Sequence, residues 1–160
     1  MPKVVSDTTP ILSFIKLDRL DILEKIYKKI IIPEAVYQEL EEGKNKYYIN
    51  ILDNNWIKIL KIRNKNLIRE LEKNLDRGEA KAIALSIEIS ADLLLLDEKI
   101  GRKIAKEKGL KISGTIGILL KAKKMGILKE VKPLINELIE KGNYYNKSFI
   151  KIVLKHAGEL

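Results

Sequence analysis

Two short apolar runs that each stop at an aspartate constrain this chain more than any other feature: Val4-Val5-Ser6 ends at Asp7, and Leu93-Leu94-Leu95-Leu96 ends at Asp97. Runs of this length, set between stretches of helical periodicity, read as fully buried strands, although four leucines alone would equally allow helix. Residues 29–32 form another β-branched run ended by Pro33, residues 56–62 alternate as a strand does, and residues 110–113 allow one more short strand. Helical spacing covers residues 17–27, 33–42, 66–75, 78–89, 98–108, 115–124, 131–141 and 147–155. An earlier helix is expected after Asp7, with Thr9 as its cap and Pro10 in its first turn. Gly43 closes the helix over 33–42, and residues 44–55 read ambiguously.

Short buried strands alternating with helices imply right-handed βαβ units. The expected fold is therefore a three-layer α/β/α sandwich around a parallel sheet of four or five strands. Ligands of such sheets lie beyond the carboxyl ends of the strands, where Asp7 and Asp97 both stand. Two carboxylates brought together repel and raise a pKa unless a cation neutralises them. Asp97 could instead cap the helix that begins at Glu98.

Two glutamates are candidates by their company. Glu39 follows Val36 by three residues and Ala35 by four, which sets it beside the apolar stripe of its helix, although a lone helical glutamate is usually solvated. Glu79 opens Gly-Glu-Ala-Lys-Ala-Ile-Ala-Leu, with Ala82, Ile83 and Ser86 on its own face. Asp76 and Glu79 also match a helix capping box. Gly114-Thr115, opening a helix after a short strand, could offer a hydroxyl and free N–H groups to a phosphate or simply cap the helix.

Composition narrows the chemistry. The 160 residues suit one domain and include no Cys and a single His, His156, which excludes thiolate nucleophiles, Cys-based zinc sites and multi-His centres. A bound metal must sit mostly on oxygen, which favours Mg²⁺ or Mn²⁺. The apolar stretch at the N-terminus is too short for a signal peptide and no run approaches a membrane span, so a cytoplasmic location and no membrane partner are expected. Net charge is +9, and residues 111–160 alone hold ten Lys against four Glu. Polyanions suit such a surface. A Lys- and Ile-rich, Gln-poor composition is also what genome bias or a hot habitat would give.

Four segments then carry a resemblance: Val-Val-Ser-Asp-Thr-Thr-Pro-Ile-Leu at Asp7, Ile-Pro-Glu-Ala-Val-Tyr-Gln-Glu-Leu at Glu39, Gly-Glu-Ala-Lys-Ala-Ile-Ala-Leu at Glu79, and Leu-Leu-Asp-Glu-Lys-Ile-Gly-Arg through Arg102. They resemble a PIN domain, and the match continues through Ser-Gly-Thr-Ile-Gly-Ile-Leu-Leu to Leu120. The similarity is greatest to the prokaryotic subgroup with a Gly-Glu-Ala motif and a helical C-terminal extension. It implies a PIN-like catalytic domain over residues 1–126, with residues 127–160 as helices packed on the same domain. It further implies a Mg²⁺- or Mn²⁺-dependent endoribonuclease that leaves a 5′-phosphate and a 3′-hydroxyl, with Asp7, Glu39, Glu79 and Asp97 as the acidic metal-binding and catalytic set. The toxin of a toxin–antitoxin pair is a common role in the family. RNA, a cognate antitoxin and a second copy of the chain are the partners so implied, the dimer being compatible with apolar residues around Tyr47 and Tyr48. Many family members carry Asp where this chain has Glu79, one methylene longer. Thr8 matches a family position often held by Ser or Thr and is expected to support Asp7; Arg102 is a candidate to steady the scissile phosphate and Thr115 to contact it or support the site.

Two other readings stay open. The fold could serve as a catalytically weak module that binds nucleic acid or protein, for which the stripe Lys147, Lys151 and Lys155, with Phe149, Ile152 and Val153 facing elsewhere, is the best support. A haloacid-dehalogenase-type phosphotransferase would use Asp7 as nucleophile but expects a second Asp two residues on, where this chain has Thr9.

Overall fold

A computed structural model describes residues 1–42 and 49–160. Gly43, Tyr47 and Tyr48, and with them the expected helix closure and part of the ambiguous segment, lie outside the described residues. The elements are β1 (Val4–Ser6), α1 (Thr8–Lys16), α2 (Asp21–Tyr27), β2 (Ile30–Pro33), α3 (Glu34–Glu42), β3 (Ile57–Leu60), α4 (Lys65–Leu71), α5 (Arg77–Glu88), β4 (Leu93–Leu95), α6 (Lys99–Glu107), β5 (Ile112–Ser113), α7 (Thr115–Lys124), α8 (Lys132–Glu140) and α9 (Lys147–His156). Of the ambiguous segment, Ile51–Asp53 forms one 3-10 turn.

The five strands pair in parallel in the order β3-β2-β1-β4-β5. Alternate residues of each strand feed opposite faces, as a period of two requires. Val4, Ile30, Ile32 and Leu95 join one apolar core with Ile11 and Phe14 of α1, Ile22 of α2 and Ile118 of α7. Val5, Ile31, Leu94 and Leu96 join the other with Leu71 of α4, Ile83 of α5 and Ala105 of α6. The sheet is thus covered on both sides, the α/β/α sandwich that the strand lengths predict. Residues past 126 add Val131, Ile135 and Leu138 with Val153 and Leu154 to the first core. The Glu159 carboxylate accepts from the Val131 and Lys132 N–H groups and pairs with Lys123 at 2.8 Å, tying the tail to α7 and to the start of α8.

Local chemistry explains several boundaries. Asn64, Asp76 and Asn146 each accept an N–H of the turn they precede, starting α4, α5 and α9. The helix expected over 17–27 begins only at Asp21, because Asp18 takes φ 52°, a left-handed conformation that interrupts the spiral. The cap expected at Thr9 is not used. Thr9 lies inside α1, and Asp7 occupies the N-cap position with no side-chain capping bond.

Candidate active site

The strand order places β1 centrally, with the chain leaving it for β2 on one side and returning from β3, through α4 and α5, to β4 on its other side. A crevice opens beyond the carboxyl ends of strands at such a switch point. Asp7 is the residue after β1, and its N–H donates to the Leu95 carbonyl of β4 at 2.9 Å. Asp97 stands two residues after β4, and Glu39 projects from α3, which leaves β2 directly. Glu79 lies in the first turn of α5.

These acids lie close enough to act on one another's ionisation. Asp7 is 5% exposed. Burial pushes its carboxyl up to about 7; the Thr8 N–H opposes this, and the charges of Asp76, Glu39 and Asp97 reinforce it. Glu79 is 8% exposed and pushed up to about 8, first by burial, then by the hydrogen bond and charge of Asp76, then by the charges of Asp7 and Glu98. Asp7 therefore links the others, raised by Glu39 and Asp97 and itself raising Glu79. Glu39 and Asp97 are half-buried. Among the described residues no Lys or Arg pairs with any of the four, so only protons or a bound cation can offset their negative charge in this low-dielectric place.

Each acid is positioned by a different device. Thr8 donates its hydroxyl to Glu39 Oε2 at 2.6 Å, while its N–H donates to Asp7 and holds that carboxyl's pKa down, so it supports both acids. Thr115 gives both its N–H and its hydroxyl to the two oxygens of Asp97, each at 2.6 Å. Fully buried and with both donors committed, Thr115 supports Asp97 and has nothing left for a phosphate. Asp97 accordingly serves the start of α7, while α6, which it could have capped, begins from Glu98 with no side-chain bond. Asp76 accepts the Glu79 N–H at 2.9 Å, one arm of the expected capping box. Arg102 Nη1 is tied to the Leu96 carbonyl at 3.0 Å beside Asp97, which holds the guanidinium at the rim of the cluster.

Absent side chains shape the site as well. A Cβ at Gly78 would collide with the Glu39 carboxylate, lying 2.9 Å from its Cδ, and one at Gly101 would lie 3.0 Å from Glu79 Oε2. At Gly114 it would meet Asp97 Oδ1 at 2.7 Å and Arg102 Nη1 at 2.8 Å. Glycines thus let α5, α6 and the β5–α7 turn close on the acids.

Two participants escaped the sequence reading. Asp76 figured there only as a cap, yet its charge raises both Asp7 and Glu79. Tyr145, between α8 and α9, is half-buried and lies close enough to Asp97 for that charge to raise its hydroxyl pKa, after burial and against a hydrogen bond from Asn143. Asn143 also donates to Ser13 of α1 at 3.2 Å, anchoring this segment near the site. The capping arithmetic pointed at Asp76; no local pattern points at Tyr145. On α9, Val153 is buried, whereas Phe149 and Ile152 are exposed.

The donor set can be tested against a metal ion. All four acids offer hard oxygen, and the uncompensated charge calls for protons or a cation. Among the described residues, no three acidic side chains come close enough together to hold one ion between them. The arrangement therefore fits an ion held by one or two carboxylates and completed by water, the habit of Mg²⁺.

Among curated proteins no relative matches. The solved structure of a PilT N-terminus domain protein from the hyperthermophilic archaeon Sulfolobus solfataricus is similar with a TM-score of 0.53 at 19% identity, over 91% of this chain and 100% of that one. At that identity the likeness speaks to the fold. No described helix is long and apolar enough to cross a membrane. A family model described as the PIN domain matches residues 3–159. With the parallel sheet and the acids at its switch point, that match establishes that the chain belongs to the PIN domain family, a family of nuclease folds.

Proposed function

We propose that this protein is a metal-dependent endoribonuclease whose site is built on Asp7, Glu39, Glu79 and Asp97. The observation that carries the reading is the buried, uncompensated acid cluster at the switch point, where Asp7 and Glu79 are pushed up to about 7 and 8. Asp7 and Asp97, which follow adjacent strands, would be the first to hold the ion, with Glu39 and Glu79 holding it directly or through water. When bound, Mg²⁺ or Mn²⁺ would lower the pKa of a water and neutralise charge on a phosphate. The chain's own residues do the rest. Thr115 fixes both oxygens of Asp97, and Thr8 fixes Glu39, so the carboxylates meet a substrate already oriented. Before an ion binds, Asp7 and Glu79 hold protons near neutrality, and these are the protons a cation would displace. Arg102, held beside Asp97, is placed to meet phosphate charge.

The biological role we propose is that of the toxin in a toxin–antitoxin pair acting in the cytoplasm, with RNA as substrate and a homodimer as the assembly. A small adjacent reading frame for a DNA-binding antitoxin would support this; its absence would turn the role toward RNA processing. The chemistry is tested by incubating pure protein with RNA and Mn²⁺, wild type beside Asp7→Asn. Cleavage by the wild type alone is expected; equal cleavage by both defeats the assignment.

A second reading is favoured by one observation, that no three acids gather tightly among the described residues. A PIN fold so arranged could bind nucleic acid with little catalysis. Such a binder would show salt-sensitive RNA affinity that is indifferent to Mn²⁺.

A further inference from the structure

Beside the acid cluster, on the same edge of the sheet, lies a cleft of about 530 Å³ that the proposed chemistry leaves unused. Its floor is formed where β2 and β3 end, at Pro33, Lys61 and Ile62, and its walls come from α3, α4 and α5. Five basic side chains line it, Lys61, Lys65, Arg69, Arg77 and Lys81, against the two carboxylates of Glu34 and Glu72. Among the described residues, none of the five forms a salt bridge. Unpaired cations crowded into one concavity repel one another and favour a polyanion.

The spacing is regular. Lys65 and Arg69 stand one turn apart on α4, and Arg77 and Lys81 one turn apart on α5, so each wall presents two cations whose Cβ atoms are about 5–6 Å apart. Lys61 continues the α4 series by four residues toward the floor. The cleft also adjoins the acids. Arg77 Nη2 donates to Gln38 Oε1 at 3.1 Å, and the two residues immediately following these, Gly78 and Glu39, are in direct contact in the cluster. One end of the basic track therefore abuts the carboxylates.

We propose that this cleft is the path of a single-stranded RNA, held by its phosphates between α4 and α5 so that the strand runs past Arg77 into the acid cluster. The inference rests on the ribonuclease reading and names where its substrate lies. Among the described residues no aromatic side chain lines the cleft, so nothing there stacks on bases. Contact is to the backbone, which positions a strand without reading its sequence. Substrate choice must then come from elsewhere, from the scissile position itself or from RNA shape.

The test combines Lys65→Ala with Arg69→Ala, two surface changes on α4 whose folding is checked by a thermal melt. Affinity for a 12-nucleotide single-stranded RNA is measured in the Asp7→Asn background without divalent metal, so that cleavage plays no part. Losing two phosphate contacts should weaken binding on the order of tenfold at low salt and lower the slope of log K against log salt by about 1.4. In the chain with Asp7 intact, the same pair should raise KM for that RNA and leave kcat unchanged. Lys147→Ala with Lys151→Ala on α9 should alter neither quantity. Unchanged affinity and KM in the α4 pair, or an equal loss in the α9 pair, overturns the path. Either result is distinct from failure of the ribonuclease reading, which would show as no metal-dependent cleavage by the wild type.

Discussion

The Thr8 hydroxyl donates to Glu39 Oε2 across 2.6 Å, joining the first residue of α1 to a residue 31 positions later in α3. The bond holds a half-buried carboxylate within range of Asp7, whose own ionisation Glu39 opposes. Removing the hydroxyl alone therefore tests whether orientation of Glu39 matters. Thr8→Val should lower Mn²⁺ affinity by about 10- to 100-fold, the usual effect of losing a partner that orients a metal-binding group. Titration calorimetry reads it, and an unchanged affinity would remove Glu39 from the ion's surroundings.

Thr115 stands in the same relation to Asp97, but fully buried. Thr115→Val keeps the shape and the N–H bond and deletes the hydroxyl, so RNA cleavage should fall by about 10- to 100-fold. Thr115→Ser, which restores the donor, should recover most of it. Equal rates for the Val and Ser variants would show that the hydroxyl is not what matters.

Gly78 separates stability from activity. Alanine is about 1 kcal/mol better than glycine inside a helix, yet a Cβ here would lie 2.9 Å from Glu39 Cδ. Glu39 can swing outward to relieve the contact, so Gly78→Ala should melt within a few degrees of the wild type while losing cleavage. A variant that keeps full activity would place Glu39 outside the working site.

Metal binding should depend on pH. An ion must displace protons from Asp7 and Glu79, which burial and neighbouring charge push up to about 7 and 8. Affinity for Mn²⁺ should therefore climb from about pH 6 to about pH 9, with protons released on binding, and level off above. Calorimetry in buffers of different ionisation enthalpy counts those protons; release that is absent at pH 7 would contradict the cluster.

The same groups set the stability of the metal-free chain. Asp7 and Glu79 ordinarily titrate at 3.8 and 4.5, so between those values and about 7 to 8 the folded state holds more protons than the unfolded state. Their contribution is favourable below the lower values and is lost as pH rises through the higher ones. Melting temperature should fall over that window, less so in Asp7→Asn, and added Mn²⁺ should restore it at pH 8. Parallel melting curves for wild type and Asp7→Asn from pH 5 to about pH 8 would refute the buried charge.

Local patterns made much of this legible, because strand and helix periods depend on neighbours in the chain. The runs before Asp7 and Asp97 were readable as strands, and the alternation with helices implied parallel pairing. Boundaries failed where one residue's conformation decided them, as at Asp18 with φ 52°. Partners failed where the choice lay between equally suitable groups. Nothing in the spacing showed that the Thr8 hydroxyl bonds Glu39 while its N–H bonds Asp7, or that Asp97 would serve α7 and not cap α6.

By itself the sequence determined the acids, the order in which they meet the strands, and the apolar stripes that force two cores around one sheet. The tertiary structure decided that β1 lies between β2 and β4, that Asp76 and Tyr145 stand within reach of the cluster, and that cations from α4, α5 and the residue after β3 share one cleft with a wall of α3. The reason is one of range. Periodicity is set by backbone geometry over a few residues, whereas pairing, pKa and cleft shape arise from distances between groups that only packing of the whole chain brings together.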